Sequence, residues 1–87
     1  MNFTIPRPNV IECNKGYSVE VLGPTGLRYI ENENVLLLDS EILAGPAGLI
    51  LLTQGGALAN LGAEEKQRIV ENVRAAFKFR GFDIQIV

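Results

Sequence analysis

Asp39 and Glu41 stand two residues apart inside the apolar run Val35 to Leu43. In an extended strand that spacing turns both carboxylates to one face, where such a pair can hold a divalent cation or exchange a proton. A solvated sheet face, or a pair that engages a partner, needs the same pattern and no chemistry. The chain contains no histidine, so neither a Ser-His-Asp nor a Cys-His arrangement, nor an imidazole–metal site, can form within one copy. Ser18 and Ser40 have no base near them in sequence and read as surface serines on strands. Cys13 reads as a small buried hydrophobe; as a lone cysteine it excludes an internal disulfide and a multi-cysteine zinc site. The glycine clusters at 23–26, 45–48 and 55–56 lack the Lys-Ser/Thr of a P-loop and the Gly-x-Gly-x-x-Gly spacing before a helix. They read as turns, and the chain is expected to have no catalytic, cofactor or metal site.

The elements that would position these residues are short strands followed by one helix. Residues 1–8, with Pro6 and Pro8, form an extended lead-in, and Asn9 to Cys13 a first strand. Asn14-Lys15-Gly16 is a tight hairpin loop, with Gly16 supplying the positive φ such loops need. Tyr17 to Leu22 alternates, with Tyr17, Val19 and Val21 on one face. Gly23-Pro24-Thr25-Gly26 turns the chain into Leu27 to Glu31, with a left-handed exit expected at Gly26. Asn32-Glu33-Asn34 turns it again into the strand Val35 to Leu43. A second Gly-Pro-x-Gly turn, 45–48, precedes Leu49 to Thr53, and residues 57–61 are an unassigned connection.

The helix has the clearest local logic. Ile69, Val70, Val73, Ala76 and Phe77 make one apolar stripe. Glu64 and Glu65 open it and Lys78 and Arg80 close it, as the helix dipole favours, with Glu64 and Arg68 spaced for an ion pair. Gly62 is the expected N-cap and Gly81 the expected left-handed residue beyond the C-cap, with Phe82 folding back on Phe77. Phe82, Ile84 and Ile86 then alternate with Asp83 and Gln85 as a closing strand in which the C-terminus is structural. The fold class is therefore α+β. We expect one domain, 1–87: a β-hairpin region at 9–61, a helix at 62–81 and a terminal strand at 82–87. The sheet is expected to be a twisted antiparallel meander with the helix on one face.

Composition limits the partners. Eighty-seven residues with 47% hydrophobic and 21% charged side chains fit a folded domain rather than a disordered chain. Residues 1–62 carry six acids against three bases, and residues 63–87 four against five. Neither part has the dense basic stripe that phosphate binding needs, so direct nucleic-acid contact is not expected. The longest apolar stretch is far short of the ~20 residues of a membrane-spanning helix, and the first residues do not read as a signal peptide. A cytoplasmic location without lipid contact is expected. The partner-binding candidates are Glu31, Glu33, Asp39 and Glu41 on and beside consecutive strands, with Arg28, Tyr29 and Tyr17 as anchors if exposed. A bland alternative is that these charges only solvate a sheet face.

Several short strands lead into Ser40-Glu41 and the Gly-rich turn after it. The helix carries Ile69-Val70-Glu71-Asn72-Val73 and ends in Phe77-Lys78-Phe79-Arg80-Gly81-Phe82. Over roughly residues 10–87 this order resembles the immunity protein 74 family of bacterial polymorphic toxin systems. That family tends to place a tryptophan and a Pro/Asp-rich stretch before the helix; here 55–60 is Gly-Gly-Ala-Leu-Ala-Asn, and Gly62 stands where serine or threonine is expected. The resemblance implies a non-enzymatic protein that binds a cognate toxin domain and protects the producing cell by covering it. Two other classes remain open on the residues alone: a module that forms homodimers through an open strand edge, and a small-ligand or cation site at Asp39 and Glu41.

Overall fold

The computed structural model describes residues 2–42 and 48–87. The strands are β1 (Phe3–Arg7), β2 (Val10–Cys13), β3 (Tyr17–Gly23), β4 (Gly26–Glu31), β5 (Asn34–Ile42), β6 (Leu49–Leu52) and β7 (Ile84–Ile86). A 3-10 turn, Gly56–Asn60, and the helix α1, Ala63–Phe79, lie between β6 and β7. The strands form one seven-stranded sheet in sequence order. The α+β class and the meander of hairpins stand as expected.

Several details differ from the sequence reading, and Phe82, expected on the buried face of the closing strand, lies before β7 and is exposed. Residues 3–7 are an edge strand, not a lead-in, and β1 pairs Phe3 with Cys13 and Thr4 with Glu12 before the register shifts towards Arg7. Pro6 lies at that irregularity, where a missing N–H does not cost a ladder bond. The last pair, β6 with β7, is parallel. A two-residue hairpin can join only antiparallel neighbours; the helix between β6 and β7 is a crossover, which returns the chain to the end where β6 began. Positive φ marks Gly16 (103°), while Gly26 takes no left-handed exit, because Pro24-Thr25 alone turn the chain between the paired Gly23 and Gly26. Arg68 bonds Glu31 across the fold rather than Glu64 along the helix. The turn expected at 45–48 lies outside the described residues except Gly48, whose φ is +77°.

The helix ends as its sequence requires. Gly62 is the N-cap. At the other end Phe82 N–H donates to Phe77 O at 2.9 Å and Gly81 N–H to Lys78 O at 2.9 Å, with Gly81 at φ +87°. These two bonds make a Schellman stop, which satisfies carbonyls the helix leaves orphaned. Ile69, Val73, Ala76 and Phe77 are buried on the face turned to the sheet. They meet Ile11, Val19, Leu27, Tyr29, Leu38, Leu51 and Ile84, the inward residues of their strands. Leu58, fully buried, anchors the 3-10 turn to the same core. One helix covers one sheet face. The opposite face has no layer over it among the described residues.

Candidate protein-binding face

Period-two alternation sends each strand residue to the helix side or away from it. The pairing register fixes which is which. On the helix side Tyr17 and Tyr29 stack at a centroid distance of 5.7 Å. Tyr17 Oη donates to the Asn72 carbonyl at 3.1 Å, and Asn72 Nδ2 donates to Tyr29 Oη at 2.9 Å. Burial pushes the Tyr29 phenol up to about 12, against the bond from Asn72, which favours the phenolate. The Tyr17 phenol is raised further, first by burial and then by Cys13, its cross-strand neighbour. Arg68 Nη2 donates to Glu31 Oε1 at 2.9 Å beside them. This cluster clamps α1 to β3 and β4. Tyr17 and Tyr29 are therefore core residues rather than surface anchors, and Glu31 is tied to the helix.

The outer face reads in rows across the strands. Glu12, Ser18, Ile30 and Val35 pair in one row; Val10, Glu20, Arg28 and Leu37 in the next. Asp39 pairs with Leu52, and Glu41 with Ile50 and then Gln85. Arg28 Nη1 donates to Glu20 Oε1 at 2.8 Å, and Arg7 lies 3.8 Å from the other oxygen of that carboxylate. Glu20 thus engages both bases in these rows, Arg28 and Arg7, the latter paired with Val10. Val35 and Leu37 are 56% and 58% exposed, and Leu22 is 45% exposed. Val35 and Leu37 lie in the half of β5 that pairs with β4 alone, since the β6 ladder covers only Asp39 to Ile42, and their exposure is apolar surface left in water.

The four acidic candidates do not form one surface. Glu31 faces the helix. Asp39 is five residues along β5 from Asn34, the partner of Glu31, about 17 Å at 3.4 Å per residue. Glu33, at φ +74° beside Asn32 at φ +50°, occupies the tip of the β4–β5 hairpin, a turn that favours Asn-Gly. Asp39 and Glu41 share the outer face, as their spacing requires. Asp39 has a second role: a Cβ on Gly55 would collide with its Oδ2, and one on Gly56 would lie 2.9 Å from Leu37 O and 3.1 Å from Asp39 N. Gly56 is a glycine because the chain leaving β6 presses against the β5 backbone there, whereas Gly55 meets only the Asp39 side chain. Ser40, read as a surface serine, is instead buried on the helix side, and its hydroxyl has no hydrogen-bond partner among the described residues.

Sequence reasoning singled out the charges and missed Val35 and Leu37. Their signal was present: β5 reads Val-Leu-Leu-Leu-Asp-Ser-Glu, apolar on both faces where a half-covered strand should alternate. Among the described residues no group of three or more potential metal ligands occurs, and no helix is long and apolar enough to cross a membrane. Compared with protein-family models, curated proteins and solved structures, the chain matches none.

Proposed function

We propose that this is a non-enzymatic immunity protein that neutralises a cognate bacterial polymorphic toxin by binding and occluding it in the cytoplasm of the producing cell. The observation that carries the reading is the uncovered sheet face, with Val35 and Leu37 more than half exposed on it. Neighbouring apolar side chains left in water gain free energy when a partner covers them, so an exposed apolar patch marks an interaction surface. The absence of histidine from the chain and the resemblance over residues 10–87 support the same reading.

Homodimerisation through a strand edge is the rival reading, and the edges favour it less. β1 carries Pro6 and a register shift, and β7 offers three residues; both are devices that blunt an edge. Co-expression decides the main proposal. The toxin domain encoded beside this protein's gene should arrest growth alone and lose that effect when this chain is present. Continued arrest, with the chain folded and abundant, would reject it. Light scattering across a hundredfold concentration range then separates a monomeric inhibitor from a homodimer.

A further inference from the structure

We propose that the outer face of β5 and its neighbours is the docking surface, and that its occupant is a basic protein surface with an apolar centre. The inference rests on the toxin-binding reading and names the surface and the chemistry of that partner. Along β5 the outward positions are Val35, Leu37, Asp39 and Glu41, with Glu33 at the hairpin tip just before them. Acids stand at both ends and two exposed aliphatic residues between them. At about 3.4 Å per residue the stripe from Glu33 to Glu41 spans roughly 27 Å, a length that suits an interface of about 800 Å² per partner.

Charge decides what fits. Arg28 and Arg7, the two bases in the rows, both face Glu20. Glu33, Asp39 and Glu41 make no ion pair among the described residues. The apolar centre would be desolvated by a facing apolar group, and the unpaired carboxylates around it would meet lysine or arginine. An acidic partner would instead bring like charges together at both ends of the stripe. The helix side also exposes apolar residues, Phe79 and Phe82 at the end of α1, but the exposed Lys78 and Arg80 beside them give that end the opposite charge.

Surface plasmon resonance with the immobilised toxin domain tests this, using the full chain at two salt concentrations. Leu37→Ser should weaken binding at least about tenfold, the effect of losing a central anchor. Glu33→Lys with Glu41→Lys should slow association about tenfold at low salt and approach the wild-type rate at high salt, because steering by exposed charge is screened. Glu64→Lys with Glu71→Lys, on the exposed side of the helix, should bind as wild type. Circular dichroism on every variant confirms that it folds. If both sheet-face variants bind as wild type while the helix variant loses binding, this docking surface is wrong and the toxin reading survives. If the wild-type chain itself does not bind the toxin domain, both fall.

Discussion

Gly56→Ala should be one of the most damaging single substitutions in the chain, although it adds one methyl group. Gly56 sits at φ +60°, where a Cβ costs about 1–2 kcal/mol. That Cβ would also lie 2.9 Å from Leu37 O and 3.1 Å from Asp39 N, both backbone atoms of β5. Backbone inside a sheet cannot step aside, and such overpacking adds about 1–3 kcal/mol. The smaller conformational freedom of alanine in the unfolded chain offsets about 0.5–1 kcal/mol. The net loss is about 1–4.5 kcal/mol, centred at ~3, from a total stability that for 87 residues is on the order of 4–13 kcal/mol. Gly55→Ala is the matched control. Gly55 has extended φ and ψ of −124° and 170°, and the atom its Cβ meets first is the carboxylate of Asp39, which can rotate away. Its cost should be about 1 kcal/mol or less, and Asp39→Ala should remove most of it. Urea unfolding followed by circular dichroism measures all three. The melting point of Gly56→Ala should fall by roughly 10–30 °C. Equal losses for the two glycines would refute the claim that contact with the β5 backbone, rather than turn entropy, fixes this loop.

Two further outcomes follow from the buried polar groups. Because folding lifts the Tyr29 phenol from 10 to about 12, its stabilising contribution is whole below pH 10 and disappears as pH rises through 12, about 3 kcal/mol in all. Unfolding free energy measured by urea at stepped pH should drop across that window, and Tyr29→Phe should flatten part of the drop; tyrosinate absorbance rising near pH 10 without unfolding would contradict it. Ser40→Ala removes a buried hydroxyl that has no hydrogen-bond partner among the described residues and should raise stability by about 1 kcal/mol, whereas a loss on the same urea assay would mean that the hydroxyl is satisfied.

The helix and its stop were legible because their determinants are local: a 3.6-residue apolar period, Gly62 before it and Gly81-Phe82 after it. The hairpins were legible for the same reason. The parallel pairing of β7 was not, because parallel pairing is set by where a crossover returns the chain, although a helix between two strands is the usual sign of one. β1 was hidden by Pro6 within it and Pro8 just after it; a proline is tolerable at a sheet edge and would have been disruptive inside it. Arg68 had two carboxylates in prospect. Glu64 was visible in the spacing, but Glu31, brought near by tertiary packing, takes the guanidinium at 2.9 Å.

The candidate site failed in sequence for a related reason. Charge is conspicuous in a list of residues, and period two says which charges share a face, but only the pairing register says which face the helix covers. That register sends Glu31 inward to Arg68 and leaves Asp39 and Glu41 outward. It also turns attention from the acids to Val35 and Leu37, which sequence alone treats as ordinary members of an apolar strand. A carboxylate in water needs no partner; an aliphatic side chain in water gains by finding one. On the proposed docking surface, the aliphatic pair would supply the reason to bind, and the carboxylates would select what is bound.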